Sequence, residues 1–161
     1  AQPLRRKSLR AGPLFRALVA QFCENAQEKK CEIVLEQSEQ SEQAMLCADR
    51  ALLERLLENL LGNSIRHNAA PVEIEVQTDV DGNRFCLTVA DNGTGYPPAD
   101  DGCGYPPAVL AAMNAPEPCE NAPHILGLHV VEQIAIAHGG KAEFTQNIPQ
   151  GAKAVISLPM E

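Results

Sequence analysis

The chain has 161 residues, 45% of them hydrophobic and 21% charged, with a formal net charge of −8. That length suffices for one full core, so a single domain over residues 1–161 is expected. The acidic balance argues against nucleic acid as the main partner, and no apolar run approaches the roughly 20 residues of a membrane span. Six cysteines (Cys23, Cys31, Cys47, Cys86, Cys103 and Cys119) form no C-x-x-C pair. Several lie beside apolar residues such as Phe22, Leu46 and Phe85, as reduced cysteines do when they serve as small core residues of a cytosolic protein. The opening Ala1-Gln2-Pro3 suggests a piece cut from a longer protein.

Taken in chain order, Leu14, Leu18, Val19 and Phe22 repeat at helical spacing and predict a helix from about Pro13 to Lys30, with proline in its first turn. Glu32–Glu36 reads as a strand, Gln37–Gln43 as a polar turn or loop, and Ala44–Cys47 as a short strand. Asp49 is placed to cap a long helix that runs to about His67. Val72–Gln77 alternates apolar and polar residues, Asp81-Gly82-Asn83 supplies a hairpin turn, and Phe85–Ala90 returns to end at Asp91. Asn92–Pro123 carries most of the prolines and no Lys or Arg. Only a short helix near Pro107–Asn114 is expected there, and a connection this long reads as a functional flap or as disorder. Leu126–His138 is an apolar helix stopped by Gly139-Gly140, followed by strands at Lys141–Thr145 and Ala152–Leu158. The order predicts an α+β fold: a two-layer α/β sandwich, with a mixed, mostly antiparallel sheet covered by helices on one face.

Within the long central helix, Asn59 and Asn63 stand four residues apart, so their amides leave the same face, and Arg66 and His67 fall near it one turn later. Leu53, Leu57, Leu60, Leu61 and Ile65 form the adjoining apolar stripe. Such a helix can pack one side and hold a metal and a phosphate with the other. A local hydrogen-bonding arrangement of the two asparagines explains the pair equally well.

Three segments in order, Asn59-Leu60-Leu61-Gly62-Asn63, Asp91-Asn92-Gly93-Thr94-Gly95 after a strand, and Leu126-Gly127-Leu128 opening a helix that ends in His138-Gly139-Gly140, resemble the ATP-binding catalytic domain of sensor histidine kinases, in the ATPase superfamily with the Bergerat fold. The likeness spans nearly the whole chain and implies a long ATP lid at about residues 96–126. It implies that Asp91 accepts from the adenine amine, with Gly93 and Gly95 letting the backbone close under the base. Asn63 corresponds to the family's Mg²⁺ ligand, and Asn59 lines the same face. Arg66 and His67 stand where lysine and tyrosine are usual and would reach phosphate oxygens. Leu126, Gly127 and Leu128 would present amides to the phosphates. The implied cofactors are ATP and Mg²⁺. The implied partners are a dimerisation and phosphoacceptor domain outside this chain and a response regulator, and the implied location is the cytoplasmic side of a membrane-bound sensor.

The chain departs from the pattern in several places. Where the family has a Gly-x-Gly-Leu-Gly-Leu run, Pro123-His124-Ile125-Leu126-Gly127-Leu128 keeps only Gly127 of the glycines. The lid carries Asp100, Asp101, Glu117 and Glu120 without a basic residue, and Gly151-Ala152 replaces the usual Gly-Thr. Ile125, whose Cβ limits how closely the backbone can approach a phosphate, and the acidic lid support a degenerate, non-catalytic module as the alternative. Related hydrolases carry a glutamate where Asn59 stands, and an amide cannot act as a base. Attack by imidazole needs no such base, which favours phosphoryl transfer to histidine. None of the chain's own histidines is placed as a phosphoacceptor, and no catalytic residue is singled out. His138 is expected to cap or pack, and His129 to be solvated.

Asp100-Asp101-Gly102-Cys103-Gly104 repeats the D-x-G-x-G spelling, but only Asp91 follows a strand, the context adenine recognition needs. Asp91 can still be read as an ordinary turn residue. Calorimetry should therefore find nucleotide binding abolished in Asp91→Ala and largely intact in Asp100→Ala. The reverse outcome would assign the base-reading role to the second copy.

Overall fold

The computed structural model describes residues 4–28, 31–66, 72–93, 123–146 and 151–161. Its elements are β1 (Lys7–Arg10), α1 (Ala11–Glu28), β2 (Glu32–Gln37), α2 (Glu39–Gln43), β3 (Met45–Ala48), α3 (Arg50–Arg66), β4 (Glu73–Asp81), β5 (Arg84–Asp91), α4 (Pro123–Ala137), β6 (Lys141–Gln146) and β7 (Ala152–Pro159). Five strands form the main sheet in the order β2-β4-β5-β7-β6. The β2–β4 pair is parallel and the other three pairs are antiparallel. The fold is the expected two-layer sandwich, with a mixed sheet and helices on one face.

Alternation explains the layer. Ile74, Val76 and Thr78 on β4, Phe85, Leu87 and Val89 on β5, and Ala154, Ile156 and Leu158 on β7 point into the core. Their cross-strand register places them on one face. The helices answer with Phe15 and Leu18 of α1, Leu53, Leu56, Leu57, Leu60 and Leu61 of α3, and Leu128, Val131 and Ala135 of α4. Phe15 stacks on Phe85 with ring centroids 5.4 Å apart. On the other face Glu73, Glu75, Gln77 and Asp79 remain exposed.

Several local features differ from the sequence reading. The Ala44–Cys47 segment does not join the main sheet. As β3 it pairs antiparallel with β1, a strand that periodicity missed, in a separate two-stranded sheet. A strand of four residues carries too little pattern to be told from a loop. The polar stretch read as a turn contains α2, capped by Ser38, whose side chain accepts from the Ser41 N–H. The buried Ser41 hydroxyl meets Thr78 Oγ1 at 2.8 Å, which seats that short helix on β4. Cys47 is exposed rather than in the core, because β3 turns Leu46 inward and Cys47 outward. Among the described residues, Cys23, Cys31, Cys47 and Cys86 form no disulfide with one another. Burial pushes the Cys86 thiol pKa up, and Asp81 and Asp79 add to it against Arg84, which makes Cys86 a poor nucleophile. Cys103, Cys119 and the helix expected at Pro107–Asn114 lie outside the described residues. No described helix is long and apolar enough to cross a membrane.

The closures follow local chemistry. Gly82 takes a φ of 62° in the β4–β5 turn. Gly139 at φ 81° ends α4, with Gly140 N–H donating to the Ala135 carbonyl and Gly139 N–H to that of Ile136, the two bonds of a Schellman stop. Asp49 caps α3 as expected, its Oδ1 accepting from Ala51 and Leu52 N–H at 3.1 and 3.3 Å.

The Arg5 N–H on Oδ2 most strongly holds the Asp49 carboxyl below its ordinary pKa; desolvation opposes it, and the Leu52 and Ala51 N–H groups reinforce it. A carboxyl depressed in the fold contributes stability above its unfolded pKa and loses that contribution as pH falls through the lower, folded one. Acid titration of thermal stability should therefore be less steep below about pH 4 in Asp49→Asn, which keeps the cap. Asp49→Ala should lose about 1 kcal/mol at neutral pH.

Candidate nucleotide site

Strand direction and helix direction decide which ends of the elements meet. The start of β5 lies beside the end of α4: Phe85 and Cys86 pair with Leu158 and Ser157, a Cβ on Gly140 would fall 1.8 Å from the Ser157 oxygen, and Arg84 Nη1 donates to the Gly139 carbonyl at 3.2 Å. The start of α3 is at the same end, because Asp49 N–H donates to Nε2 of His138 at 3.0 Å. Along β5, Asp91 is about 20 Å away from that end. Asn63 is about 20 Å along α3 from its cap, and α4 runs the opposite way. The end of β5, the C-terminal half of α3 and the N-terminal turns of α4 therefore share the far end of the layer. At this end the first residue of β4, Glu73, pairs with Asn92 beyond Asp91: the Asn92 N–H donates to the Glu73 carbonyl at 3.2 Å, and Asn92 Oδ1 accepts from Glu73 N–H at 2.8 Å.

Asp91 is the best-defined side chain of this end. Its place opposite Ile74 puts it on the helix-bearing face of the sheet, and it is 3% exposed. Its Oδ1 accepts two backbone N–H bonds, from Gly93 at 3.0 Å and from Ala152 at 3.1 Å. The first closes an Asx-type turn that ends the strand. The second crosses to β7 and fixes the carboxylate plane from the neighbouring strand. A buried carboxylate held this way is an oriented acceptor. Gly151 makes the approach possible: at φ 112° it lies so close that a Cβ would stand 1.8 Å from the Asp91 carbonyl oxygen and 2.9 Å from Oδ1. The sequence reading named Gly151-Ala152 only as a departure from the usual Gly-Thr. The structure gives the pair a backbone role that side-chain identity does not signal.

The other singled-out residues divide. Asn59 is half-buried at the margin of the leucine stripe, and its Nδ2 donates to the Arg55 carbonyl one turn back at 2.8 Å. The local arrangement allowed for the asparagine pair is thus realised at Asn59, with the amide nitrogen committed to the helix. Asn63 and Arg66 lie on the backbone of α3, one turn after Asn59 and at its last residue. Their side chains, with His67 and Gly95, lie outside the described residues, as does most of the segment read as a lid. Gly93 is buried against Asp91.

Helix α4 begins at Pro123, three residues before the expected start and inside the segment read as lid. Gly127 and Leu128 therefore lie in the second turn, where an α-helix already uses its N–H groups internally, and the amides left to the helix end belong to residues before Gly127. Leu126 shares that early part of the helix. Leu128, taken as a nucleotide contact, is fully buried in the core. His129 is buried rather than solvated, since α4 turns both residues inward. Two open surface grooves of about 480 Å³ each lie at the opposite, hairpin end, around Arg84 and Lys141 and around Val80 and Met160, and include none of these residues. Among the described residues no three His, Cys, Asp or Glu side chains gather to hold a metal.

Residues 48–161 match the family described as histidine kinase-, DNA gyrase B- and HSP90-like ATPase. The chain belongs to that family. Among curated relatives of this ATPase domain, the alginate biosynthesis sensor protein KinB of Pseudomonas aeruginosa is 30% identical over 112 residues, 70% of this chain and 18% of that protein. The sensor protein RstB of Escherichia coli is 32% identical over 112 residues, 70% of this chain and 25% of that protein. The chain thus spans a quarter or less of the length of these relatives. The catalytic domain of histidine kinase ThkA superposes with a TM-score of 0.78 at 19% identity, covering 97% of this chain and 96% of that one. Full-length ShkA in complex with AMPPNP gives 0.72 at 25% identity, covering 99% of this chain and 32% of that one.

The two glycines predict a contrast. Gly82→Ala, whose Cβ would meet nothing within 4 Å, should cost about 1 kcal/mol from its positive φ alone. Gly151→Ala must displace Asp91 and should cost roughly 3 kcal/mol or more in thermal unfolding, with nucleotide affinity falling beside it.

Proposed function

We propose that this ATPase domain is the nucleotide-binding catalytic domain of a sensor histidine kinase, which binds Mg-ATP for phosphoryl transfer to a histidine on a separate domain. The observation that carries the reading is the Asp91 carboxylate, buried at the end of β5 and oriented through Oδ1 by the Gly93 and Ala152 N–H groups. A carboxylate so held suits an exocyclic amine of a base, which needs an acceptor of fixed direction. The asparagine-bearing half of α3 reaches the same end, so base and phosphate contacts fit one elongated ligand.

Asn63 is the proposed Mg²⁺ ligand. A single neutral oxygen fits a cation that keeps waters and substrate oxygens in its other positions. Arg66 and His67 are the proposed phosphate contacts, with Gly95 beneath the base and the early amides of α4, Leu126 among them, near the phosphates. When bound, the ion would neutralise phosphate charge; the chain's own task is to bind and orient. Asn59 cannot take a proton, and its nitrogen is already committed to Arg55. Glu58 next to it is exposed and about 100° round the helix. That favours histidine as acceptor over hydrolysis of ATP by water.

The proposed partners are a dimerisation and phosphoacceptor domain of the parent protein and a response regulator, with the domain on the cytoplasmic side of a membrane-bound sensor. His129 and His138 are buried, which suits neither as a phosphoacceptor.

Calorimetry should find ADP and Mg-ATP both bound, with the triphosphate weakened roughly tenfold or more by Asn63→Ala or by chelation of Mg²⁺. Neither free Mg²⁺ binding nor acid-labile phosphate on the isolated chain is expected. Binding indifferent to Mg²⁺ would favour the non-catalytic alternative, and unaided turnover of ATP would favour a hydrolase.

A further inference from the structure

At the end of the layer opposite Asp91, one histidine joins the two helices that reach the site. His138 follows α4 and is 4% exposed. Its Nε2 accepts from the Asp49 N–H at 3.0 Å, and its Nδ1 meets the Ile134 carbonyl at 2.8 Å. A donor on one side and an acceptor on the other admit one arrangement, a neutral ring with its proton on Nδ1. Asp49 caps α3 through Oδ1 and takes the Arg5 N–H on Oδ2 at 3.0 Å. Arg6 Nη2 donates to the Ala137 carbonyl, at the last residue of α4, at 2.7 Å. The start of α3, the end of α4 and the chain entering the domain are thus fastened at one point.

We propose that this clasp sets the axial register of α3 against α4, so that Asp49 and His138 are positioning residues for the nucleotide site about 15–20 Å away, with the Arg5–Arg6 strap as its handle. The inference rests on reading the far end of the layer as the nucleotide site. The two helices pack together, and their buried side chains are apolar: Leu53, Leu57 and Leu60 are among those of α3, and Leu128, Val131 and Ala135 among those of α4. Apolar packing is non-directional and tolerates small axial shifts, whereas hydrogen bonds fix distance to a few tenths of an ångström. A helix is stiff along its axis, so a shift admitted at Asp49 arrives at Asn59 and Asn63 undiminished. A binding constellation tolerates only about 0.5 Å of such error. Whatever precedes Arg5 therefore has a mechanical route to the site through the cap of α3.

The experiment uses the chain 1–161 with AMPPNP and Mg²⁺. In His138→Gln the amide oxygen can replace Nε2 as acceptor, whereas His138→Leu keeps bulk and removes the acceptor. With both variants folded by circular dichroism, the leucine variant should bind about three- to thirtyfold more weakly, and the glutamine variant should recover most of that loss. Coupling is reciprocal, so AMPPNP should also slow hydrogen exchange of the wild-type Asp49 and Arg5 amides while leaving the Gly82 turn unchanged. That measurement stands if the leucine variant does not fold. Wild-type binding with equal affinity in His138→Leu, or with no change in Asp49 exchange, would overturn the clasp alone. No binding by the wild type would overturn the nucleotide reading itself, and the clasp with it.

Discussion

The bond from Ala152 N–H to Asp91 Oδ1 links two things that would otherwise be independent, the closure of the sheet between β5 and β7 and the aim of the buried carboxylate. Taking an ionised or strongly polar group out of water is costly unless its acceptor positions are used. Here the neighbouring strand and the strand's own exit turn supply the donors. The approach requires a backbone without a Cβ at Gly151, so the site depends on a glycine that need not touch a ligand. Because the donors are peptide groups of the sheet, the carboxylate's direction is set before any ligand arrives, and little ordering remains to be done on binding.

The second constraint is the antiparallel pairing of α3 and α4. It brings the asparagine half of one helix to the early turns of the other, and both to the end of β5. The leucine stripe holds the helices down, while hydrogen bonds at the His138 end hold them in place. Around His138 and Asp49 those bonds are between helices and to the entering chain. At Asn59 the bond is within one helix and serves to orient a side chain. The molecule thus separates adhesion, which is apolar and spread through the core, from registration, which is polar and concentrated at the ends.

Much of this was legible in the chain itself. The alternation in Glu73–Asp81 and Arg84–Asp91, the 3.6-residue stripe in α3, the Asp49 cap and the Gly139 stop are local patterns, each decided within a few residues of sequence. The motif order pointed to the ATPase family that the residues 48–161 match then established. What local pattern misread is equally specific. β1 is four residues long and exists because it pairs with β3. α2 is polar and stays because Ser41 finds Thr78 on a strand distant in the chain. His129 was assigned to solvent, but the packing of α4 turns it inward.

The chain's local patterns were enough to place the longer helices and the strands of the main sheet, their apolar faces, and a carboxylate where β5 ends, because those properties follow from periodicity and turn chemistry over short spans. Folding was needed to show that Gly151 and Ala152 hold that carboxylate, that His138 takes the N–H of the residue capping α3, and that the end of β5, the C-terminal half of α3 and the first turns of α4 meet. These are contacts between residues up to 89 positions apart. Nothing in the local chemistry of either partner names the other, since a backbone N–H is the same at every position and acquires a partner only when the chain has folded.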